Sequence, residues 1–271
     1  MGKLEGKVAF ITGAARGQGR AHAIRLAEEG ADIIGVDICD QIPVVPYQMG
    51  TAEELAETVA AVEKLGRKMV SSEVDVRYYE ALQKAFDDGC AELGQATIVV
   101  ANAGIGPGGF ASDQEQWDEV ISVNLSGVWN TGRVSIPSIV EANQGGSVIL
   151  TSSTGGLIGP GMNVAGVLGY TAAKHGVIGL MRSWSNYLAP HFVRCNAVAP
   201  TTVATPMANM GDVSLILEHV PEMAGAITNA MPIDAVQPED IAATVAWLAS
   251  DDARYVTGSV IPVDAGNVNR R

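Results

Sequence analysis

From residue 8 to residue 263, short apolar runs alternate with segments of helical period, and that alternation limits the folds open to this chain more than any other feature. Runs at 8–11, 32–37, 68–74, 98–100, 147–151, 193–199 and 260–263 read as strands, being apolar along most of their length and rich in β-branched residues. Helices are expected between them at 18–29, 51–65, 78–93, 117–142, 170–188 and 238–249. Gly30 and Gly66 serve as stops, and Thr51 with Glu54 forms a capping box. Strands that are apolar on both faces need cover on both faces, and strand–helix–strand connections run parallel. The expected fold is therefore α/β, a doubly wound parallel sheet of about seven strands with helices on both sides. No linker of proline, serine or charge divides residues 1–271 and no internal repeat appears, so one domain is expected.

Composition removes several function classes. With 47% hydrophobic and 17% charged residues the chain can bury a sizeable core and is not disordered. Its net charge of −13, from 17 basic and 30 acidic side chains, argues against nucleic acid and against an anionic membrane surface. Cys39, Cys90 and Cys195 lie far apart with no CxxC pair, and the N-terminus carries charges at Lys3, Glu5 and Lys7 rather than an apolar signal core. A cytoplasmic location is expected. Residues 142–173 hold no charge, but glycines and Pro160 break any helical period, so they read as a buried strand followed by an active-site loop, not a membrane span. His22, His175, His191 and His219 form no metal-binding spacing, and no metal is expected.

The turn Thr12-Gly13-Ala14-Ala15-Arg16-Gly17-Gln18-Gly19 follows a strand and opens a helix. Gly13 permits a tight turn, while Gly17 and Gly19 let the backbone approach a pyrophosphate, which the free N–H groups of the helix end favour. Asp37, at the end of the next strand, stands where a carboxylate accepts hydrogen bonds from a ribose diol and repels a 2′-phosphate. NAD is therefore favoured over NADP, although the Arg16 cation pulls the other way. Two long loops, 38–50 and 200–232, belong near a ligand, since long ordered loops in compact domains are usually functional. Met207, Met210, Met223 and Met231 would suit an apolar substrate wall, with core filling the alternative.

Tyr170 and Lys174 stand four residues apart, on one face of a helix, where a cation can favour the phenolate. With TGAARGQG at 12–19, Asp75-Val76, ANAG at 101–104, Asn124, the serine after VILT, YTAAK at 170–174 and the Thr205-Pro206-Met207 stretch, the chain resembles the short-chain dehydrogenases/reductases over essentially its whole length. The resemblance implies a Rossmann-like fold, with Tyr170 as catalytic acid/base and Lys174 as its electrostatic partner and clamp on the nicotinamide ribose. It implies Ser153 on the substrate oxygen and Asn124 in a water relay. For the cofactor it implies Gly13, Arg16, Gly17, Gln18 and Gly19 at the phosphates, Asp37 at the ribose, Asp75 and Val76 at the adenine, Asn102, Ala103 and Gly104 along the cleft, and the Val203–Thr205 stretch at the carboxamide.

The spacing departs from the family's pattern, because 16 residues separate Ser153 from Tyr170 and leave Ser152 as a rival. Finer features are similar to the mycofactocin-associated branch that includes carveol dehydrogenases. That resemblance implies tightly held NAD, a small apolar alcohol or ketone as substrate, a mycofactocin-linked electron acceptor and a homotetramer. The expected activity is interconversion of a hydrophobic secondary alcohol and its ketone. Its rivals are an NADPH-dependent carbonyl reductase and a non-catalytic NAD-binding protein.

Overall fold

The computed structural model describes residues 2–106, 111–209 and 228–270. Seven parallel strands form one sheet: β1 (Val8–Thr12), β2 (Asp32–Asp37), β3 (Met69–Glu73), β4 (Ile98–Ala101), β5 (Gly146–Thr151), β6 (Val193–Pro200) and β7 (Val260–Val263). Their spatial order is β3-β2-β1-β4-β5-β6-β7. The chain leaves β1 toward β2 and β3, then returns to place β4 on the other side of β1, so a crevice opens between the C-terminal ends of β1 and β4.

Among the described residues the α-helices are α1 (Gly17–Glu28), α2 (Ala52–Lys64), α3 (Tyr79–Leu93), α4 (Asp113–Ile121), α5 (Gly127–Ala142), α6 (Ala165–Leu188) and α7 (Pro238–Ala249). They bury the two sheet faces in two apolar cores. One holds Phe10, Ile34, Phe86, Val99 and Leu150; the other holds Ile11, Leu26, Ile33, Val100 and Ile149. Successive residues of β1, β2, β4 and β5 thus enter opposite cores, as the pleat requires. Phe10 and Phe86 meet edge to face at 5.1 Å, an arrangement worth about 1 kcal/mol beyond area burial. Thr51 and Glu54 form the reciprocal cap expected of them. Among the described residues no helix is long and apolar enough to cross a membrane.

Two expected elements change. The helix read over 117–142 starts earlier, at Asp113, where Ser112 and Glu115 make a second capping box. It also widens into a π-turn at Ser122–Ser126 before continuing as α5, a feature that hydrophobic period cannot register. The helix read from Tyr170 begins five residues sooner, at Ala165, so only part of the expected active-site loop is loop. Gly166 and Gly169 hid that start, being weak helix formers. α4 crosses α6 at Gly169, where a Cβ would make ordinary contact with the Trp117 ring at 3.5 Å.

Candidate active site

The crevice between β1 and β4 is an open cleft. Gly13, Arg16, Gly17, Gln18, Gly19, Asp37, Asp75, Val76, Asn102, Ala103, Gly104 and Thr205 line it, which unites nearly all the residues expected to hold a dinucleotide. Gly13 and Gly17 have φ of +72° and +53°, and a Cβ on Gly19 would collide with the Gly13 carbonyl oxygen. α1 opens with no side-chain cap and no acidic residue in its first turn, so its N–H groups face the cleft without competition for an anion. That cradle fits a pyrophosphate.

The rest of the cleft wall is tied together across the switch point. Thr12 Oγ1 accepts from the Asn102 and Ala103 main-chain N–H groups, each at 3.1 Å. Asn102 Nδ2 donates back to the carbonyls of Thr12 at 3.1 Å and Gly13 at 3.4 Å. Asp37 Oδ2 accepts from Ala15 N–H at 2.9 Å, which fixes the carboxylate beside the Gly-rich turn. Asp75 is paired with Arg77, and Val76 is buried with its carbonyl held by Asn130 at 2.9 Å.

The 38–50 loop, expected near a ligand, borders the cleft through Ile42, Tyr47, Met49 and Gly50. Ile42, Val44 and Val45 are buried in the core, while Gln41 bonds the carbonyls of Val45 and Tyr47 and accepts from Met49 N–H. The loop is then fastened on both banks of the cleft. Arg16 Nη2 donates to the Gln48 carbonyl on one side, and Gly106 N–H donates to the Tyr47 hydroxyl at 2.8 Å on the other. Sequence reasoning missed Tyr47; an aromatic beside Pro46 in an inserted, proline-bounded loop was the available signal. Burial pushes the Tyr47 phenol up to about 12. Arg16 also stands 4.0 Å from Glu54, so the cation expected to compete for a 2′-phosphate is already occupied.

The catalytic candidates meet at the inner end of this cleft. A Cβ on Gly104 would lie 3.1 Å from Asn124 Oδ1 and 3.6 Å from Lys174 Nζ. α6 places Lys174 one turn after Tyr170, with Nζ 5.6 Å from the Tyr170 ring centroid and donating to the Thr151 carbonyl at 2.9 Å. Tyr170 and Ser153 both flank Gly155, and the Ser153 hydroxyl favours the Tyr170 phenolate. Burial nevertheless dominates and holds the Tyr170 phenol above its ordinary value. Burial also lowers Lys174 to about 8, so the ammonium is mostly retained at neutral pH.

The structure gives three of the expected residues specific partners. Ser152 is buried and its hydroxyl donates to the Lys174 carbonyl at 2.9 Å. The Asn124 side chain clamps Ile105: Nδ2 donates to the Ile105 carbonyl and Oδ1 accepts from Ile105 N–H, both at 2.8 Å. Val203 does not line the cleft; it is buried and bridges to Val236, whereas Thr205 Cγ2 does face Gly17. Of the methionines offered as a substrate wall, Met207 lines the cleft and Met231 is exposed. Met210 and Met223, with most of the 200–232 loop, lie outside the described residues.

A family model described as enoyl-(acyl carrier protein) reductase matches residues 13–267. (−)-trans-Carveol dehydrogenase of Rhodococcus erythropolis is 48% identical, over 98% of this chain and 99% of its own length. Carveol dehydrogenase from Mycobacterium avium, solved in complex with NAD, superposes with a TM-score of 0.90 at 44% identity and covers all of both chains. A short-chain dehydrogenase from Mycobacterium paratuberculosis, bound to NAD, gives 0.91 at 46% identity over 99% of this chain and all of that one.

Proposed function

This chain belongs to the short-chain dehydrogenase/reductase family, and from that premise we propose that it is an NAD-dependent oxidoreductase that interconverts a hydrophobic secondary alcohol, carveol-like, and its ketone. The observation that carries the reading is the junction at Gly104, where Lys174 and Asn124 reach the end of a cleft cradled by Gly13, Gly17 and Gly19. NAD, when bound, supplies the hydride acceptor. Tyr170 removes the hydroxyl proton of the alcohol, and Ser153 donates to the oxygen on which charge develops. Lys174, held by Thr151, supplies the cation that favours the phenolate and reaches toward the nicotinamide ribose. Asn124, whose side chain also clamps Ile105, holds a water that relays the proton onward.

NAD rather than NADP is supported by two charges. Asp37 stays at the ribose end of the cleft, and Arg16 is engaged by the Gln48 carbonyl and Glu54. The loop fastened by Arg16 and Tyr47 lies across the cofactor cleft and would slow nucleotide exchange. Poor exchange would leave reoxidation to an external acceptor, for which the family resemblance suggests a mycofactocin-linked carrier. The exposed Trp117, Trp129, Leu168 and Tyr187 on α4, α5 and α6 support assembly through those helices, as in a homotetramer.

The testing experiment is denaturation of the purified protein and identification of the nucleotide released, followed by alcohol oxidation with carveol. Stoichiometric NAD and ketone formation are expected. NADP in the released fraction, or no oxidation of carveol or of simpler secondary alcohols such as cyclohexanol, would overturn the reading.

A further inference from the structure

Asp75 stands in the wall between two recesses. On one side it lines the cofactor cleft with Val74 and Val76. On the other it lines a second recess with Arg77, Tyr78 and Glu119. Arg77 and Glu119 border only that second recess, so whatever they do for the cleft is done through Asp75.

Arg77 grips this carboxylate with three donors. Its main-chain N–H donates to Oδ1 at 2.9 Å, Nε donates to Oδ2 at 2.8 Å, and Nη2 lies 2.6 Å from the same Oδ2. An ionised carboxylate offers about four acceptor positions, so about one is left, on Oδ1. Arg77 Nη1 donates to Glu119 on α4, which holds the guanidinium from its far side. The backbone beneath is fixed as well. Val74 N–H donates to the Asp37 carbonyl at 2.7 Å, and Asn130 Nδ2 holds the carbonyls of Val76 and Arg77 at 2.9 and 3.2 Å. An exposed ion pair contributes little, but the Asp75 side chain is only 11% exposed and two arms of one planar guanidinium set its direction.

Two carboxylates share one guanidinium here, so this corner of the cleft wall carries net negative charge. A group that meets Oδ1 from the cleft side has to be a donor, since a carbonyl there would face an uncompensated carboxylate oxygen. The 6-amino group of adenine is such a donor; the base hypoxanthine carries a carbonyl at the same position. Without the guanidinium the carboxylate could turn toward the second recess, where water competes for it.

We propose that Arg77, anchored by Glu119, is a positioning residue that keeps Asp75 Oδ1 aimed at the 6-amino group of the adenine, and that it thereby makes the cleft select a 6-aminopurine dinucleotide over its 6-oxo analogue. The inference rests on the dinucleotide reading of the cleft and adds what enforces the choice of base.

The experiment equilibrates the parent protein, Arg77→Met, Arg77→Lys and Glu119→Ala with an equimolar mixture of NAD and nicotinamide hypoxanthine dinucleotide until the bound fraction stops changing. Denaturation and chromatography then give the ratio of the two nucleotides held. The parent is expected to hold mostly NAD. In Arg77→Met that preference should fall about tenfold, the scale of one hydrogen bond to a charged group. Arg77→Lys, which returns the charge without the planar grip, should fall between the two. Glu119→Ala should move the ratio in the same direction by less. A salt bridge with only a structural role would weaken both nucleotides alike and leave the ratio where it was. Should Arg77→Met fail to fold, Arg77→Lys and Glu119→Ala decide by the same ratio. An unmoved ratio in the variants, or a parent that holds the two nucleotides equally, overturns the proposal and leaves the dinucleotide reading standing. A parent that takes up neither nucleotide overturns both.

Discussion

Lys174 Nζ lies 5.6 Å from the centroid of the Tyr170 ring while spending a hydrogen bond on the Thr151 carbonyl at 2.9 Å. The ammonium is thereby fixed beside the phenol by a strand, not by the phenol itself. Burial costs both groups their charged forms, and it lowers Lys174 to about 8 from 10.5. Between those values the unfolded chain binds more protons than the folded one, so stability from this group rises with pH there. The penalty is full below about pH 8 and gone above about 10.5. Lys174→Met should therefore stabilise the fold at pH 7 by up to about 3 kcal/mol, less the value of the lost bond to Thr151. Urea unfolding of both proteins at pH 7 and pH 10 checks this. The advantage of the variant should shrink strongly at the higher pH, and an unchanged difference would contradict it.

Tyr170→Phe removes the oxygen proposed as acid/base, and the ring keeps its place against Gly155. Alcohol oxidation should fall by about 10²–10⁴-fold. Nucleotide content and thermal midpoint should stay near those of the parent, measured on the same preparation. Undiminished turnover in folded, NAD-loaded Tyr170→Phe would exclude this phenol as the base.

Cofactor choice should turn on Asp37. Asp37→Ala removes the charge that repels a 2′-phosphate and the acceptor for Ala15 N–H. NAD affinity should drop by about tenfold or more, the worth of a hydrogen bond to a charged group, while NADP affinity rises. Fluorescence titration with each nucleotide measures both. If NADP binding does not improve, the discrimination lies elsewhere in the cleft.

Tyr47→Phe deletes the acceptor that holds Gly106 N–H and so unfastens one bank of the inserted loop. Nucleotide release should accelerate by roughly tenfold, with the single-turnover rate little changed. Dialysis followed by assay of retained nucleotide distinguishes this from a loop that only decorates the surface, for which retention would not move.

The linear motifs made much of the site legible. The Gly-rich turn, Asp37, Asp75, the Asn102–Gly104 run and the Tyr170/Lys174 pair carry local signals of spacing, and the structure lines one crevice with the first four and sets Lys174 beside its Gly104 end. Tyr47 and the Asn124–Ile105 clamp were not legible. Each depends on a partner remote in sequence: Tyr47 meets Gly106, and Asn124 meets Ile105. Val203 is buried and bridges to Val236 while Thr205 Cγ2 faces Gly17, a difference that proximity in sequence does not show.

By itself the sequence determined the alternation of strands and helices, their parallel packing and the chemical identity of the groups at the cleft, because period and spacing are properties of neighbours along the chain. Tertiary structure decided the order β3-β2-β1-β4-β5-β6-β7, the occupation of Arg16 by Gln48 and Glu54, and the pairing of the Ser152 hydroxyl with the Lys174 carbonyl. Those outcomes are set by which buried donors find acceptors once distant segments pack. Burying an unpaired polar group is costly enough to fix such pairings, yet it leaves no periodic trace in the chain.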